Sequence, residues 1–275
     1  MKRILTAAVL TPLFVWLILF APAEAFRVSL VMVGTLAFFE FTQIAGTGWV
    51  IPAWVGAITG IGLLYAPDPT PIAILIAILG MTIALRSADL AESLPAAGAF
   101  TLGVLYIFGA WRYASELRQI NPHWLLFAML LSWVGDTAAL YVGKSMGRHK
   151  LAPRVSPAKT WEGAIGSVVG AVIGGVIYAH YLIPSASIVQ VVILAVAGNV
   201  AGQVGDLAES AFKRGAGVKD SGTLLPGHGG WLDRIDSSLF AVPVVLMVAV
   251  SPLPGTPSKF HLPASSQAPS PPTQV

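Results

Sequence analysis

Acidic residues are scarce in this chain and unevenly placed. Of the 13, seven fall between positions 136 and 236: Asp136, Glu162, Asp206, Glu209, Asp220, Asp233 and Asp236. Asp233 and Asp236 are spaced i, i+3, so a helix that starts early enough puts both carboxylates on one face. Asp206 and Asp220 can converge on them from the preceding helix end and the intervening loop. Hard oxygen donors of this kind suit Mg²⁺, which commonly takes one or two carboxylates together with substrate phosphates. The competing reading is an ion-pair network with the interleaved bases Lys213, Arg214, Lys219 and Arg234. The same loop carries Pro226-Gly227-His228-Gly229-Gly230. Closely spaced glycines let backbone N–H groups approach one anion, so this run reads as a polyphosphate cradle. His228 reads as a phosphate hydrogen-bond donor, because no second histidine is near enough in sequence to make a metal pair. Lys213-Arg214 either holds phosphates or only anchors a helix end at the membrane face.

A second polar segment lies upstream. It is basic, with Lys144, Arg148, His149, Lys150, Arg154 and Lys159, and its tightest unit is Ser156-Pro157-Ala158-Lys159-Thr160-Trp161-Glu162-Gly163. That unit offers two hydroxyls, a cation, an interfacial aromatic and a carboxylate directly before a helix. Asp136 falls inside an apolar stretch and is expected to face the bundle interior, since charged groups at membrane depth need partners. Glu40 has the same expected placement, with no partner evident in the sequence.

The elements that must position these groups are membrane helices. The chain is 55% hydrophobic and only 11% charged, with a mean hydropathy of +0.76, against roughly 25% charged residues in a soluble domain. Such a chain cannot cover its own surface with solvated groups, so a lipid-facing surface is implied. Cysteine is absent, which excludes disulfides and Cys-ligated metal sites. Nine apolar stretches, at about 4–20, 28–44, 49–65, 70–85, 94–111, 124–142, 164–183, 188–204 and 237–253, each approach the ~17–25 residues of a spanning helix. The expected architecture is therefore an all-α polytopic membrane protein of about nine transmembrane helices. About five lie in an N-terminal part, 1–122. A catalytic part, 123–253, carries polar loops at 143–163 and 205–236, and a Pro/Ser-rich tail, 254–275, reads as disordered. The first stretch is expected to be a retained helix, although Lys2-Arg3 and Ala23-Glu24-Ala25 also fit a cleaved leader. Glycines in the seventh stretch, Gly163 to Gly175, suit close helix packing.

Charge sets the orientation. With nine spans, one side holds Lys2, Arg3, Arg86, Lys144, Arg148, Lys150, Arg154, Lys159, Lys213, Arg214, Lys219 and Arg234. The other holds only Arg27, Arg112, Arg118 and Lys259. The positive-inside rule makes the first side cytoplasmic, and with it both polar loops.

From Ser210 to Asp236 the sequence resembles the signature of the phosphatidate cytidylyltransferase family. The match runs Ser-x-apolar-Lys-Arg, four residues, Lys-Asp-x-Gly, then Leu-Pro-x-His-Gly-Gly and Asp-Arg-apolar-Asp. Asp136–Ala139 and Ser156–Gly163 resemble two further elements of that family. Together they cover about the C-terminal half; the N-terminal half agrees only in hydropathy. Trp231 stands where the family usually has an aliphatic residue, Ala158 replaces a common second Lys, and Leu140 takes a place often held by Tyr. The resemblance implies an all-α membrane fold, often a homodimer, that joins CTP to phosphatidic acid. It implies Mg²⁺, with room for a second cation beside it. On that basis Asp206, Asp233 and Asp236 are assigned to metal, with Asp220 as a further ligand. Lys213, Arg214, Lys219, His228 and Arg234, with Ser210 and the backbone at Gly229 and Gly230, would hold phosphates. Ser156, Lys159 and Thr160 would orient nucleotide or lipid headgroup. The expected partners are CTP, phosphatidic acid and the lipid of a cell inner membrane, with no nucleic acid. The competing readings are a CTP-using lipid kinase and a cation-coupled transporter. A transporter is disfavoured because no inverted repeat is visible and the acids sit at one face.

Overall fold

The computed structural model describes residues 2–47, 52–225, 227 and 229–250. Ten α-helices account for most of them: α1 (Lys2–Leu19), α2 (Ala23–Ile44), α3 (Ala53–Tyr65), α4 (Pro69–Ala84), α5 (Ser93–Val104), α6 (Ala110–Ile120), α7 (Pro122–Met146), α8 (Trp161–Leu182), α9 (Ile188–Gly215) and α10 (Leu232–Val250). A π-helical turn, Leu105–Gly109, joins α5 to α6, so the two run on as one long apolar element. Local chemistry starts the helices where they start. Asn121 accepts a hydrogen bond from the His123 backbone N–H with Pro122 in the first turn, and the Thr160 hydroxyl accepts one from Gly163. Ser187 caps α9 in the same way through Gln190. Each cap satisfies one of the N–H groups that a helix leaves unpaired at its start.

The described part of each of the nine apolar stretches falls on helix, but the expected number of spans is not established. Among the described residues, five elements are long and apolar enough to cross a membrane: Ala23–Ile44, Leu90–Ile120, Pro122–Met146, Trp161–Leu182 and Ile188–Gly215. The third and fourth stretches give helices of 13 and 16 residues. At 1.5 Å per residue these rise about 20–24 Å, short of a ~30 Å hydrocarbon core. Pro52 stands just before α3, and Pro69 occupies the first turn of α4. The fold is also not purely helical. Lys150–Ala152 (β1) and Ser156–Thr160 (β2) pair antiparallel, with Lys150 opposite Thr160 and Ala152 opposite Ser156. This hairpin lies within the polar segment read as a loop. The tail at 254–275 lies outside the described residues.

Small residues bring the C-terminal helices together. On α8, Gly166, Gly170 and Gly174 face α7, where added Cβ atoms would lie 2.7 Å from Val142, 2.5 Å from Ala138 and 3.1 Å from Val134. Buried Asn199 on α9 donates to the Leu131 carbonyl on α7 and to the Ser167 hydroxyl on α8, both at 3.1 Å. Without a hydrophobic drive between helices in lipid, close contact and internal hydrogen bonds of this kind hold the bundle. The N-terminal helices pack instead around aromatic rings: Phe38, Phe100 and Phe108 are fully buried, and Phe38 meets Phe100 edge-on and Phe108 at a tilt.

Candidate active site

Helix α9 carries much of the chemistry on one face. Asp206, Glu209, Ser210 and Lys213 are three and four residues apart, which aligns them along the turn of the helix that ends at Gly215. The hairpin delivers Lys159, whose Nζ lies 2.5 Å from Asp206 Oδ2. The Ser210 hydroxyl donates to the other Asp206 oxygen at 3.4 Å. From α10, Asp236 points into the bundle with only 8% exposure. Its Oδ1 accepts from the Ser237 N–H at 2.7 Å and from the Ser237 hydroxyl at 3.3 Å. Asp136 on α7 is within electrostatic reach of Asp206, Lys159 and Arg234, and Asp236 is within reach of Asp206 and Glu209.

One helical turn further along α9 the character changes. Lys213 Nζ lies 2.5 Å from both Glu209 Oε2 and Asp233 Oδ1. Asp233 Oδ2 in turn accepts the backbone N–H groups of Ser221 at 2.9 Å and Gly230 at 2.8 Å. Across the bundle, Glu40 on α2 accepts from the Ser221 hydroxyl at 2.9 Å, from Trp231 N–H at 3.0 Å and from Leu232 N–H at 2.9 Å. Glu40 is buried as expected, and these are the partners that the sequence did not reveal.

Two cavities meet at this site. The first, of about 250 Å³, is walled by apolar side chains of α1 and α2, including Phe14, Ile18 and Leu30, and by Trp231; its polar end is Asp136, Asp233, Arg234 and Asp236. The second, of about 370 Å³, lies between α7, α8, α9 and the hairpin, with Lys144, Lys159, Thr160, Gln203 and Asp206 on its wall. Asp136 lines both.

The remaining sequence-assigned residues are placed as follows. Lys219 and Asp220 are exposed in the α9–α10 loop, as is Arg234 at the start of α10. Arg214 donates to the Val218 carbonyl at 2.7 Å, which closes the end of α9 in the manner of its anchoring reading. Thr160 is buried and its hydroxyl caps α8, while Ser156 opens β2. Gly229 adopts φ +79°, and an added Cβ there would lie 2.4 Å from Asp233 Oδ2. His228 lies outside the described residues.

A divalent cation fits part of the proposed ligand set. Asp206 and Asp236 of that set, joined by Asp136 from outside it, supply hard oxygens, and a cation would relieve the repulsion of Asp206 with each of the other two. Asp233 does not fit: both of its oxygens already accept hydrogen bonds from the chain. Among the described residues no three His, Asp or Glu groups stand close enough to hold an ion by themselves. A cation here would therefore draw further oxygens from substrate phosphates, the usual habit of Mg²⁺.

Helices long and apolar enough for a membrane, with carboxylates and cations gathered at one end of them, define an integral membrane protein with a polar site at its face. The sequence model of the cytidylyltransferase family matches residues 1–251, and the chain belongs to that family. It is 37% identical over 270 residues to the phosphatidate cytidylyltransferase of Brucella suis, covering 93% of this chain and 96% of that one. It is 42% identical over 153 residues to the phosphatidate cytidylyltransferase of Haemophilus influenzae, and 39% identical over 149 residues to that of Staphylococcus saprophyticus. These two matches span 53% and 57% of the relatives' own lengths. The likeness to the Brucella protein extends through the N-terminal half, where the sequence motifs had given only hydropathy.

Proposed function

We propose that this protein is a phosphatidate cytidylyltransferase, converting CTP and phosphatidate to CDP-diacylglycerol and pyrophosphate. The observation that carries the reading is the junction of two unlike cavities at one carboxylate cluster. The first cavity suits a lipid, because its α1 and α2 walls are apolar and only one end is polar. The second suits a nucleotide, because it opens among Lys144, Lys159 and Thr160. Homology to proteins of that name over nearly the whole chain supports the same reaction.

The phosphatidate phosphate is already a nucleophile, so the site needs no strong base. One of its oxygens attacks the α-phosphorus of CTP, a new P–O bond forms, and the α–β bridging bond breaks with its electron pair leaving on pyrophosphate. Catalysis then rests on alignment and charge neutralisation. Lys159, held by Asp206 between hairpin and helix, faces the second cavity and would neutralise nucleotide phosphate. Arg234 at the polar end of the first cavity would hold the lipid phosphate. Exposed Lys219 is available to the departing pyrophosphate. Asp206 and Asp236 would hold Mg²⁺, which when bound supplies electrophilic polarisation of the phosphoryl oxygens. The polar loops face the cytoplasm of an inner membrane in this reading, supported by the partition of Lys and Arg. A homodimer belongs to it through the family resemblance.

Labelled CTP tests the reaction. With α-³²P CTP and phosphatidate, the purified protein is expected to place label in the lipid and release unlabelled pyrophosphate. Lipid labelled only from γ-³²P CTP would identify a kinase instead.

A further inference from the structure

Glu40 lies on α2, about 190 residues before its partners, and is 2% exposed. A carboxylate buried that deeply in an apolar helix is costly unless its oxygens are satisfied. Here both oxygens accept, Oε1 from Trp231 N–H and Oε2 from Leu232 N–H and the Ser221 hydroxyl. Trp231 and Leu232 are the entry into α10, whose first N–H groups have no partner within the helix. The glycines around them give independent testimony to a built contact. A Cβ at Gly222 would lie 2.6 Å from Glu40 Oε1, and one at Gly230 would lie 2.2 Å from Glu40 Oε2. Both positions need glycine for the loop to close over this carboxylate. Ser221 also links the two acids: its N–H donates to Asp233 at 2.9 Å while its hydroxyl donates to Glu40 at 2.9 Å.

We infer that Glu40 is a positioning residue for nucleotide binding, a carboxylate of the N-terminal helices that holds the 219–232 loop closed against α10. It touches neither proposed substrate. It acts through Lys219, the exposed cation at the far end of the loop and the one available to the phosphates of CTP that leave as pyrophosphate. Arg234 and Asp236, by contrast, are held by α10 itself. Gly230, read from sequence as part of a phosphate cradle, therefore has a second duty, being shaped to Glu40 as well as to any anion. The arrangement also explains why the catalytic half is joined to α2: the lock on the loop is supplied by the other half of the chain.

The inference rests on the reaction proposed above, and Glu40→Gln separates the two. The side chain keeps its length, but an amide offers one accepting oxygen and one N–H₂ group, which would face a donor. Amides of 220–232 are expected to exchange hydrogen at least about tenfold faster than in the parent, with the other helices unchanged. The KM for CTP is expected to rise about tenfold while that for phosphatidate holds within about twofold, a split that loss of folded protein cannot produce. Glu40→Asp, which restores both accepting oxygens on a shorter arm, is expected to recover part of the CTP affinity. Should Glu40→Gln not accumulate, Ser221→Ala removes one of the three bonds to Glu40, together with the bond its hydroxyl accepts from the Asp233 N–H at 3.3 Å, and is expected to move both readouts in the same direction by less. Unchanged exchange in the loop, or equal changes in both KM values, would overturn the inference. If the parent protein makes no CDP-diacylglycerol, the functional reading fails, and the exchange result still decides whether Glu40 locks the loop.

Discussion

Two carboxylate groups on the same face of α9, one helical turn apart, have opposite characters. Around Lys213 the acid facing the loop is saturated: Asp233 meets the ammonium and also gathers two backbone N–H groups. Glu209 meets the ammonium through Oε2, and its buried Oε1 accepts no hydrogen bond among the described residues. Around Asp206 the acids outnumber the bonds. Asp136 and Asp236 each stand within reach of Asp206, Lys159 makes the one direct ion pair among these acids in the described residues, and all of them border a cavity. Residue type does not separate the clusters, since both are carboxylates around one lysine. Satisfaction does. A saturated carboxylate holds the protein together, and an under-satisfied one beside a cavity is prepared for something the chain does not provide.

The largest effect that can break this distinction is expected at Asp236. In Asp236→Asn the retained carbonyl oxygen can still accept from Ser237, so the local backbone contact survives. What is lost is charge in the open cluster. Turnover measured as label transfer should fall by about 10²–10³-fold, equivalent to about 3–4 kcal/mol of transition-state stabilisation. Elution and melting in detergent should stay near those of the parent. Activity above about a tenth of the parent would move the metal away from Asp236.

The closed cluster should respond in the other currency. Lys213→Met keeps much of the apolar stem but strands Glu209 and Asp233 without their cation. Breaking a buried pair by removing one partner is destabilising by about 3–5 kcal/mol. The yield of folded protein and its melting temperature should drop, and activity per folded molecule should fall far less than in Asp236→Asn. A Lys213→Met protein that is stable yet inactive would place Lys213 on phosphate and merge the two clusters into one.

Much of this was legible from residue order. The described part of every apolar stretch fell on helix, because a long run of Leu, Ile, Val and Ala has few alternatives. The gathering of acids and bases between positions 136 and 236 also survives as a spatial cluster. What sequence could not separate was the role of each aspartate, since Asp233 and Asp236 sit on one helical turn with identical chemistry. Their difference arises from Lys213, Ser221 and Gly230, partners chosen by how the loop folds. The bonds of Glu40 to residues near 231 have no local trace at all; a lone acid in an apolar helix was the only signal. The hairpin was missed because five residues, Ser156–Thr160, are too few for an alternating pattern to show. The span count suffered from length, since α3 and α4 read as apolar as any other helix but are only 13 and 16 residues long.

The smallest expected effect sharpens the comparison from the lipid side. Trp231 lines the apolar cavity and meets the ring of Phe14 edge-on, with centroids 6.3 Å apart and planes at 75°. It thereby ties α10, which carries Asp236, to α1, which walls the lipid side. Such an aromatic pair contributes about 0.5–1.5 kcal/mol beyond its buried area. Trp231→Leu keeps the backbone N–H that Glu40 accepts, so the loop lock is preserved and only the wall changes. Stability should fall by about 1–2 kcal/mol, because the removed ring leaves part of its volume empty. The widened cavity should admit bulkier acyl chains, raising kcat/KM for long or branched phosphatidates relative to short ones. The KM for CTP should stay where it was, since the second cavity does not include this residue. Competition between short- and long-chain phosphatidates, read by mass spectrometry of the CDP-diacylglycerol formed, gives the ratio directly. An unaltered chain-length ratio in a folded Trp231→Leu protein would mean that the acyl chains do not run past α1, and the lipid would have to enter elsewhere.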